Sequence, residues 1–384
     1  MKIALLTTDN REPFRQYDNP QPWFGTAPEA LLQGFALWPE AEIHVVSCAQ
    51  QPMVSSPEKL APNIGFHSLA VAKIGWLRTG YQGCIRAVRK KLREIRPDIV
   101  HGQGTERDCA MSAVFSGFPN VITIHGNMNA VAKFFHAPPG SFHWLAARLE
   151  TFALHRTMGT FCNSTYTETQ VAPRTPQTWR AVNPVRQIFF EAPVSRPTKN
   201  TPIFLNVGTL TPYKRQREIL ALFGRLWQRG LKFELQFAGS REGQTDYDKN
   251  FARELTRAEQ AGYARHLGML SANQLIAAMD NADALIHAPV EEAFGLVVAE
   301  ALARNLKFFG STAGGIVDIA GDAEGVELFA SQDWSGLEIA IIAWLQAGCP
   351  QPHNAAQTMR ERYHPKVIAQ RHLEIYREVL SKSS

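Results

Sequence analysis

A chain of 384 residues has room for two domains of ordinary size, each burying its own core. Hydrophobic residues at 45% and charged residues at 20% are the balance of a soluble globular protein and exclude a disordered or fibrous chain. Forty Lys and Arg against 35 Asp and Glu leave a net charge of +5, which suits acidic small molecules or a membrane surface and gives little support to nucleic-acid binding.

KIALLTT opens the chain as a buried strand of parallel type, stopped at Leu6 before Asp9, which predicts no secretory signal. Residues 10–28 read as a long loop rich in Pro, Asn and Trp. Gly25 then precedes a helix, with Thr26 as its expected N-cap and Pro28 in its first turn. EIHVVSC (42–48) is the second strand. Residues 83–96 form an amphipathic helix with an apolar stripe of Ile85, Val88, Leu92 and Ile95. Arg86, Arg89, Lys90 and Arg93 share another face, readable as an anionic-membrane contact or as a solvated surface. PDIVHGQGTERD and NVITIHGN are successive strand–loop units that place His101 and His125 at strand edges, where open α/β sheets bind ligands. The aromatic stretch 133–154 fits an apolar or lipid acceptor, or a helix buried between domains. Ser164 or Asn163 caps the next helix.

Periodicity lapses over RQIFFEAPVSRPTKN (186–200), the expected linker, and PIFLNVG starts a second α/β unit. Lys214 lies between the Gly208 turn and the helix REILALFGRLWQ. Asp246-Tyr247-Asp248 matches a D-x-D metal motif formally, but sits in a polar stretch read as a surface loop, and no metal is expected. HLGML (266–270) should end a strand with Leu270 at its edge. The five cysteines (48, 84, 109, 162 and 349) are scattered and never spaced C-x-x-C, as expected for reduced thiols in a cytosolic protein. No apolar run reaches the ~18 residues of a membrane span.

Residues 284–315 carry the most information. The strand Ala284-Leu285-Ile286 is ended by His287-Ala288-Pro289, and Glu291-Glu292, Phe294-Gly295 and the helix LVVAEALA with Glu300 follow. Asn305 is placed for a left-handed cap, and Gly310 and Gly314-Gly315 supply a second turn. Strand, glycine turn and helix start in that order make an anion site. EEAFGLVVAEALA resembles the E-x7-E signature of retaining glycosyltransferases of family 4, with Glu292 and Glu300 as its acids. FLNVGTLTPYKRQREILALF (204–223), PDIVH, TIHGN, and CNSTYT with NPV extend the likeness over nearly the whole chain.

The resemblance implies a GT-B architecture: two facing Rossmann-like α/β domains with a cleft, residues 1–190 for the acceptor and 200–360 for the nucleotide-sugar donor. A final helix (361–384) is expected to pack back on the first domain. The implied reaction is sugar transfer from a nucleoside-diphosphate sugar to a glycan, lipid-linked or small-molecule acceptor. It would retain configuration, without cofactor or metal, by a front-face mechanism in the cytoplasm or at the inner face of the membrane, with no nucleic-acid partner. By the same likeness Lys214, with Arg215, neutralises the leaving diphosphate, helped by Phe294, Gly295 and Leu296. Glu300 takes the ribose, Glu292 the donor sugar, and Leu270 reads the base by its main chain. His125 lies over the transferred sugar, while Gly25 stands where the family has a double glycine and Gly208-Thr209 where it often has an arginine. Thr209, and the glycine and proline absent from ARNLKFF, keep a non-catalytic binder open, as the scaffold does a phosphorylase or epimerase.

Overall fold

The computed structural model describes residues 1–194, 196–197, 199–241 and 245–382. It divides into two compact units, one of Met1–Arg186 with Tyr363–Ser384 and one of Gln187–Arg362.

Unit 1 runs β1 (Lys2–Leu6), α1 (Thr26–Ala36), β2 (Glu42–Ala49), β3 (Lys59–Ala61), β4 (Ile64–Ala70), α2 (Gln82–Ile95), β5 (Ile99–Gln103), α3 (Cys109–Val114), β6 (Asn120–Ile124), α4 (Met128–Phe134), α5 (Phe142–Leu154), β7 (Thr160–Cys162), α6 (Thr165–Val171) and β8 (Thr178–Arg180). Its sheet has the order β3-β4-β2-β1-β5-β6-β7-β8, parallel except where β3 meets β4. The side-chain period of two splits β1 between two cores. Ile3 and Leu5 pack with Ile43, Val45, Phe35 and Phe161. Ala4 and Leu6 pack with Val46, Val88, Leu92 and Val100.

Two features of unit 1 differ from the pattern-based reading. Thr26 is the first helical residue of α1 and Gly25 its N-cap, with no side-chain cap bond. The stretch 133–154 holds two helices broken between α4 and α5, with Gly140 at φ 82 and His136 at φ 46. Its aromatics are not enclosed: Phe134, Phe135, Phe142 and Phe152 are all exposed. Ser164 caps α6 as expected, accepting from the Thr167 N–H at 3.0 Å.

Unit 2 begins inside the expected linker. Its α7 (Ile188–Glu191) buries Phe189 completely. The Arg304 guanidinium donates to the carbonyls of Phe189, Ala192 and Pro193 while pairing with Asp280 at 2.6 Å. Ser195 and Thr198 of that stretch lie outside the described residues. The unit continues through β9 (Ile203–Val207), α8 (Gln216–Gln228), β10 (Glu234–Ala238), α9 (Asp246–Gln260), β11 (Ala264–Gly268), α10 (Ala272–Asn281), β12 (Ala284–His287), α11 (Leu296–Leu302), β13 (Lys307–Ser311), α12 (Ile316–Ala320), β14 (Val326–Phe329), α13 (Trp334–Gln346) and α14 (Ala355–Tyr363). The sheet is parallel throughout, in the order β11-β10-β9-β12-β13-β14.

The D-x-D acids open α9 instead of lying in a loop. Thr245 and Asp248 form a capping box, while Asp246 is almost fully exposed. The signal was in the sequence, since T-x-x-D is a helix start. Glu242, Gly243 and Gln244 just before it lie outside the described residues. Gly310, expected in a turn after a strand, lies within β13.

The last helix, α15 (Pro365–Ser381), belongs to unit 1. Its Ile368, Ala369, Leu373 and Tyr376 join the core formed by α1 and the sheet. Contact with α1 is so close that a Cβ on Gly34 would stand 2.2 Å from the Pro365 carbonyl oxygen. Among the described residues no helix is long and apolar enough to cross a membrane.

Candidate functional site

In an open parallel sheet, ligands bind outside the carboxyl ends of the strands where the winding reverses. The strand orders place that reversal between β1 and β5 in unit 1, and between β9 and β12 in unit 2. Some of the residues singled out by sequence lie near these two points.

In unit 2, β9 delivers Gly208 and, through one short turn, Lys214. The lysine's stem crosses the glycine, and a Cβ there would be 3.9 Å from Lys214 Cδ. β12 delivers His287, then Glu292. The carboxylate Oε2 of Glu292 accepts from Lys214 Nζ at 2.6 Å and from His287 Nε2 at 3.0 Å. Burial favours a neutral Glu292 carboxyl, but the Lys214 charge and the His287 hydrogen bond outweigh it and hold its pKa at about 2. Burial likewise works against the Lys214 ammonium, and Glu292 holds its pKa above the usual lysine value. Burial keeps His287 below the usual imidazole pKa, so it is neutral and donates from Nε2. Its Nδ1 is then a buried lone pair without a hydrogen-bond partner among the described residues.

The second glycine turn braces this cluster. Gly314 has φ +52, and a Cβ there would fall 1.8 Å from the Glu292 carbonyl oxygen. The neighbouring Gly315 N–H donates to that same oxygen at 2.9 Å. Only glycine lets the turn close so tightly on the Glu292 backbone. Gly295 is the N-cap of α11, which spans only seven residues. Phe294 and Glu300 are buried, and Leu296 is half-buried.

Arg215 does not join Lys214. It takes a left-handed conformation, φ 58, and its buried guanidinium donates to the Ser331 carbonyl and hydroxyl and lies over the Trp334 ring. The expectation of a second phosphate-directed charge there is therefore corrected. Thr209 is exposed, and its hydroxyl lies 3.1 Å from that of Ser240. Leu270 lies two residues beyond β11, next to the Ser271 N-cap of α10, not on the strand edge.

In unit 1, Gly25 and His125 line one cavity of about 270 Å³ with Thr7, Asn10, Gln103 and Asn183. The loop leading to Gly25 is held from beneath by a buried ion pair, Arg11 to Asp9 at 2.7 Å. Arg11 also donates to the Asn19 and Ser55 carbonyls. The first backbone bond of α1 runs from the Glu29 N–H to the Gly25 carbonyl, so the N–H groups of Thr26 and Ala27 precede the helical ladder.

His125 Nε2 donates to Gln103 Oε1 at 2.9 Å, which leaves Nδ1 as the acceptor. Nδ1 is buried and has no hydrogen-bond partner of good geometry among the described residues. Burial pushes the His125 pKa down to about 4, opposed by the Asn183 side chain. The ring is therefore uncharged near neutral pH. His101 is not at the site. It is fully buried under α15, with Nδ1 2.5 Å from the Tyr376 hydroxyl and Nε2 2.7 Å from the Thr123 hydroxyl. The Gln103 amide connects the two histidines.

Sequence reasoning missed His287, Gln103, Asn183 and Glu106. Glu106 lines the same cavity and accepts from the Gly126 N–H at 2.8 Å, bracing the turn after His125. For His287 a signal existed, since it ends the strand five residues before Glu292. Gln103 and Asn183 carry no local pattern that marks them.

A family model described as "Glycosyl transferases group 1" matches residues 188–362, and one described as "Glycosyltransferase Family 4" matches residues 39–180. Among solved structures, sucrose-phosphate synthase from Thermosynechococcus elongatus superposes with a TM-score of 0.77 at 16% identity over 100% of both chains. Anabaena HepE in complex with UDP and glucose gives 0.71 at 16% identity over 98% of this chain and 100% of that one. The lipopolysaccharide outer core galactosyltransferase WaaB gives 0.68 at 15% identity over the whole of both. No curated protein sequence matches the chain. Two parallel α/β units of this kind are the GT-B fold, and the protein is an enzyme of the glycosyltransferase class. It belongs to the glycosyl transferases of group 1.

Proposed function

We propose that this enzyme moves a sugar from a nucleoside-diphosphate sugar to an acceptor hydroxyl, retaining the anomeric configuration and needing no metal. The observation that carries the reading is the Lys214–Glu292–His287 cluster at the winding reversal of unit 2. A buried ammonium held charged by a carboxylate is ready to exchange that partner for a diphosphate. HepE, a structural neighbour, has been solved with UDP-glucose, which supports this class of donor.

In the proposed step the bond from the anomeric carbon to the diphosphate oxygen breaks as the acceptor oxygen bonds to that carbon. The acceptor proton passes to the departing phosphate oxygen. Lys214 stabilises the negative charge building on the leaving group. Glu292 holds sugar hydroxyls through Oε1, Glu300 holds the ribose, and the main chain near Leu270 reads the base. In unit 1, His125 Nδ1 accepts from a sugar hydroxyl, and the cavity at Gly25 receives polar groups of the substrates.

The test is a thermal-shift panel of nucleoside diphosphates and nucleotide sugars, followed by NMR of the transfer or hydrolysis product with and without a chelator. A ligand at 100 times its dissociation constant stabilises by ~2.7 kcal/mol, several degrees in melting temperature. An inverted product, loss of turnover with chelator, or no response to any nucleotide would each overturn the corresponding part.

A further inference from the structure

We propose that the α4–α5 hairpin of unit 1 is a docking surface for an anionic lipid bilayer. From Cys109 to Thr167 the chain contains one acidic residue, Glu150. That residue is buried and turned inward, accepting from Thr105, the Met128 N–H, Asn129 and Arg174. The outer surface of the hairpin therefore carries no negative side chain. Lys133, Arg148 and Arg156 line an open apolar groove of about 1220 Å³ along the two helices, together with Trp144 and Phe152.

The tip of the hairpin is aromatic. Phe134 and Phe135 end α4 and Phe142 starts α5, at 36%, 40% and 50% exposure. Their rings cluster with His143 at centroid distances of 5.1 to 5.4 Å. An aromatic tip flanked by unopposed cations is complementary to a bilayer interface, where rings sit at headgroup depth and phosphates meet the cations.

The basic face of α2 is the weaker candidate. Its Arg86, Arg89, Lys90 and Arg93 are exposed, but Ile85, Val88, Leu92 and Ile95 are all buried in unit 1. The face also carries Glu94, paired with Lys91 at 2.5 Å. It offers charge without anything to insert. The bilayer contact stands apart from the transferase reading; only its use, bringing a lipid-anchored acceptor to unit 1, rests on that reading.

The experiment measures partition of the full chain onto phosphatidylcholine vesicles with and without phosphatidylglycerol, in the absence of any sugar donor. Binding to the anionic vesicles is expected, weakened by salt. The triple change Phe134→Ser, Phe135→Ser, Phe142→Ser should weaken it by about tenfold or more. So should Lys133→Gln, Arg148→Gln, Arg156→Gln, whereas the four α2 cations changed to Gln should leave most of it. Should the tip variant unfold, wild type with brominated acyl chains gives an independent reading: Trp144 fluorescence is quenched, and Trp144→Phe removes that part. Absence of partition, equal loss in the α2 variant, or tip residues that drive self-association instead would overturn the proposal. Nucleotide response measured on the same samples keeps this outcome separate from that of the transfer reaction.

Discussion

Replacing Glu292 by Ala tests whether the Lys214–Glu292 pair is a counterion held for exchange. The pair is close, 2.6 Å, and both side chains are mostly enclosed, at 18% and 15% exposure. A Glu292 carboxyl held at about 2 against an ordinary 4.5 corresponds to ~3 kcal/mol in favour of the ionised form. Its folded value lies below its unfolded one. The contribution is therefore fully present above about pH 4.5 and is lost as pH falls towards 2. Glu292→Ala should accordingly lower the stability of the ligand-free enzyme by ~2–3 kcal/mol near neutrality, because it leaves a buried ammonium unpaired. A diphosphate supplies a new partner, so nucleoside-diphosphate affinity should hold or rise while sugar transfer collapses. Lys214→Ala should do the opposite to affinity, losing ~1.5–3 kcal/mol of a charge-assisted contact. Calorimetric titration of both single variants and the double variant with free nucleoside diphosphate isolates the coupling. If Glu292→Ala weakens nucleoside diphosphate as much as Lys214→Ala does, counterion exchange is wrong.

Three further expectations concern the rest of the molecule. Burial keeps His125 and His372 at about 4 and His101 well below its usual value, so the unfolded chain takes up protons first as pH drops under 6.5. His125 and His372 then each cost unit 1 ~1.4 kcal/mol per pH unit down to about 4, with His101 acting in the same direction, and urea midpoints across that range should show a slope that His372→Gln reduces by one proton. Gly314→Ala should disorder the Glu292 turn and abolish nucleotide response. Gly262→Ala, also left-handed at φ +83 but facing open space, should cost only the ~1–2 kcal/mol of the backbone, as seen in paired thermal melts. Gln103→Leu removes the acceptor from His125 Nε2 and should lower kcat by about tenfold or more with little change in nucleoside-diphosphate affinity; unchanged kcat would dismiss the positioning role.

The parts legible in sequence are those with short periods. Runs such as KIALL and ALIH announce buried parallel strands, and Lys214, Glu292 and Glu300 stand within recognisable stretches whose order matches the winding of the sheet. What escaped depends on backbone direction or on distant partners. The left-handed turn at Arg215 sends its guanidinium to Ser331, 116 residues away. Gln103 meets His125 only because β5 and β6 are neighbours in the sheet. Glu150 looks like an ordinary polar position on a helix, yet its partners come from three separate stretches of chain. The break between α4 and α5 was signalled by Pro138-Pro139-Gly140, but the aromatic run around it suggested one continuous element.

Unit 1 is closed by α15, whose Lys366 carbonyl meets the Trp38 indole across 328 residues of sequence. During synthesis the ribosome must make all of unit 2 before that helix exists. At about 5–20 residues per second this takes roughly 10 to 35 seconds. Until then the face of α1 bearing Phe35 lacks the cover that Ala369, Leu373 and Tyr376 give it. Unit 2 is contiguous and needs no such wait. The half of the enzyme begun first is thus finished last, and supplying Pro365–Ser381 as a separate peptide to a chain arrested before it should speed burial of that face.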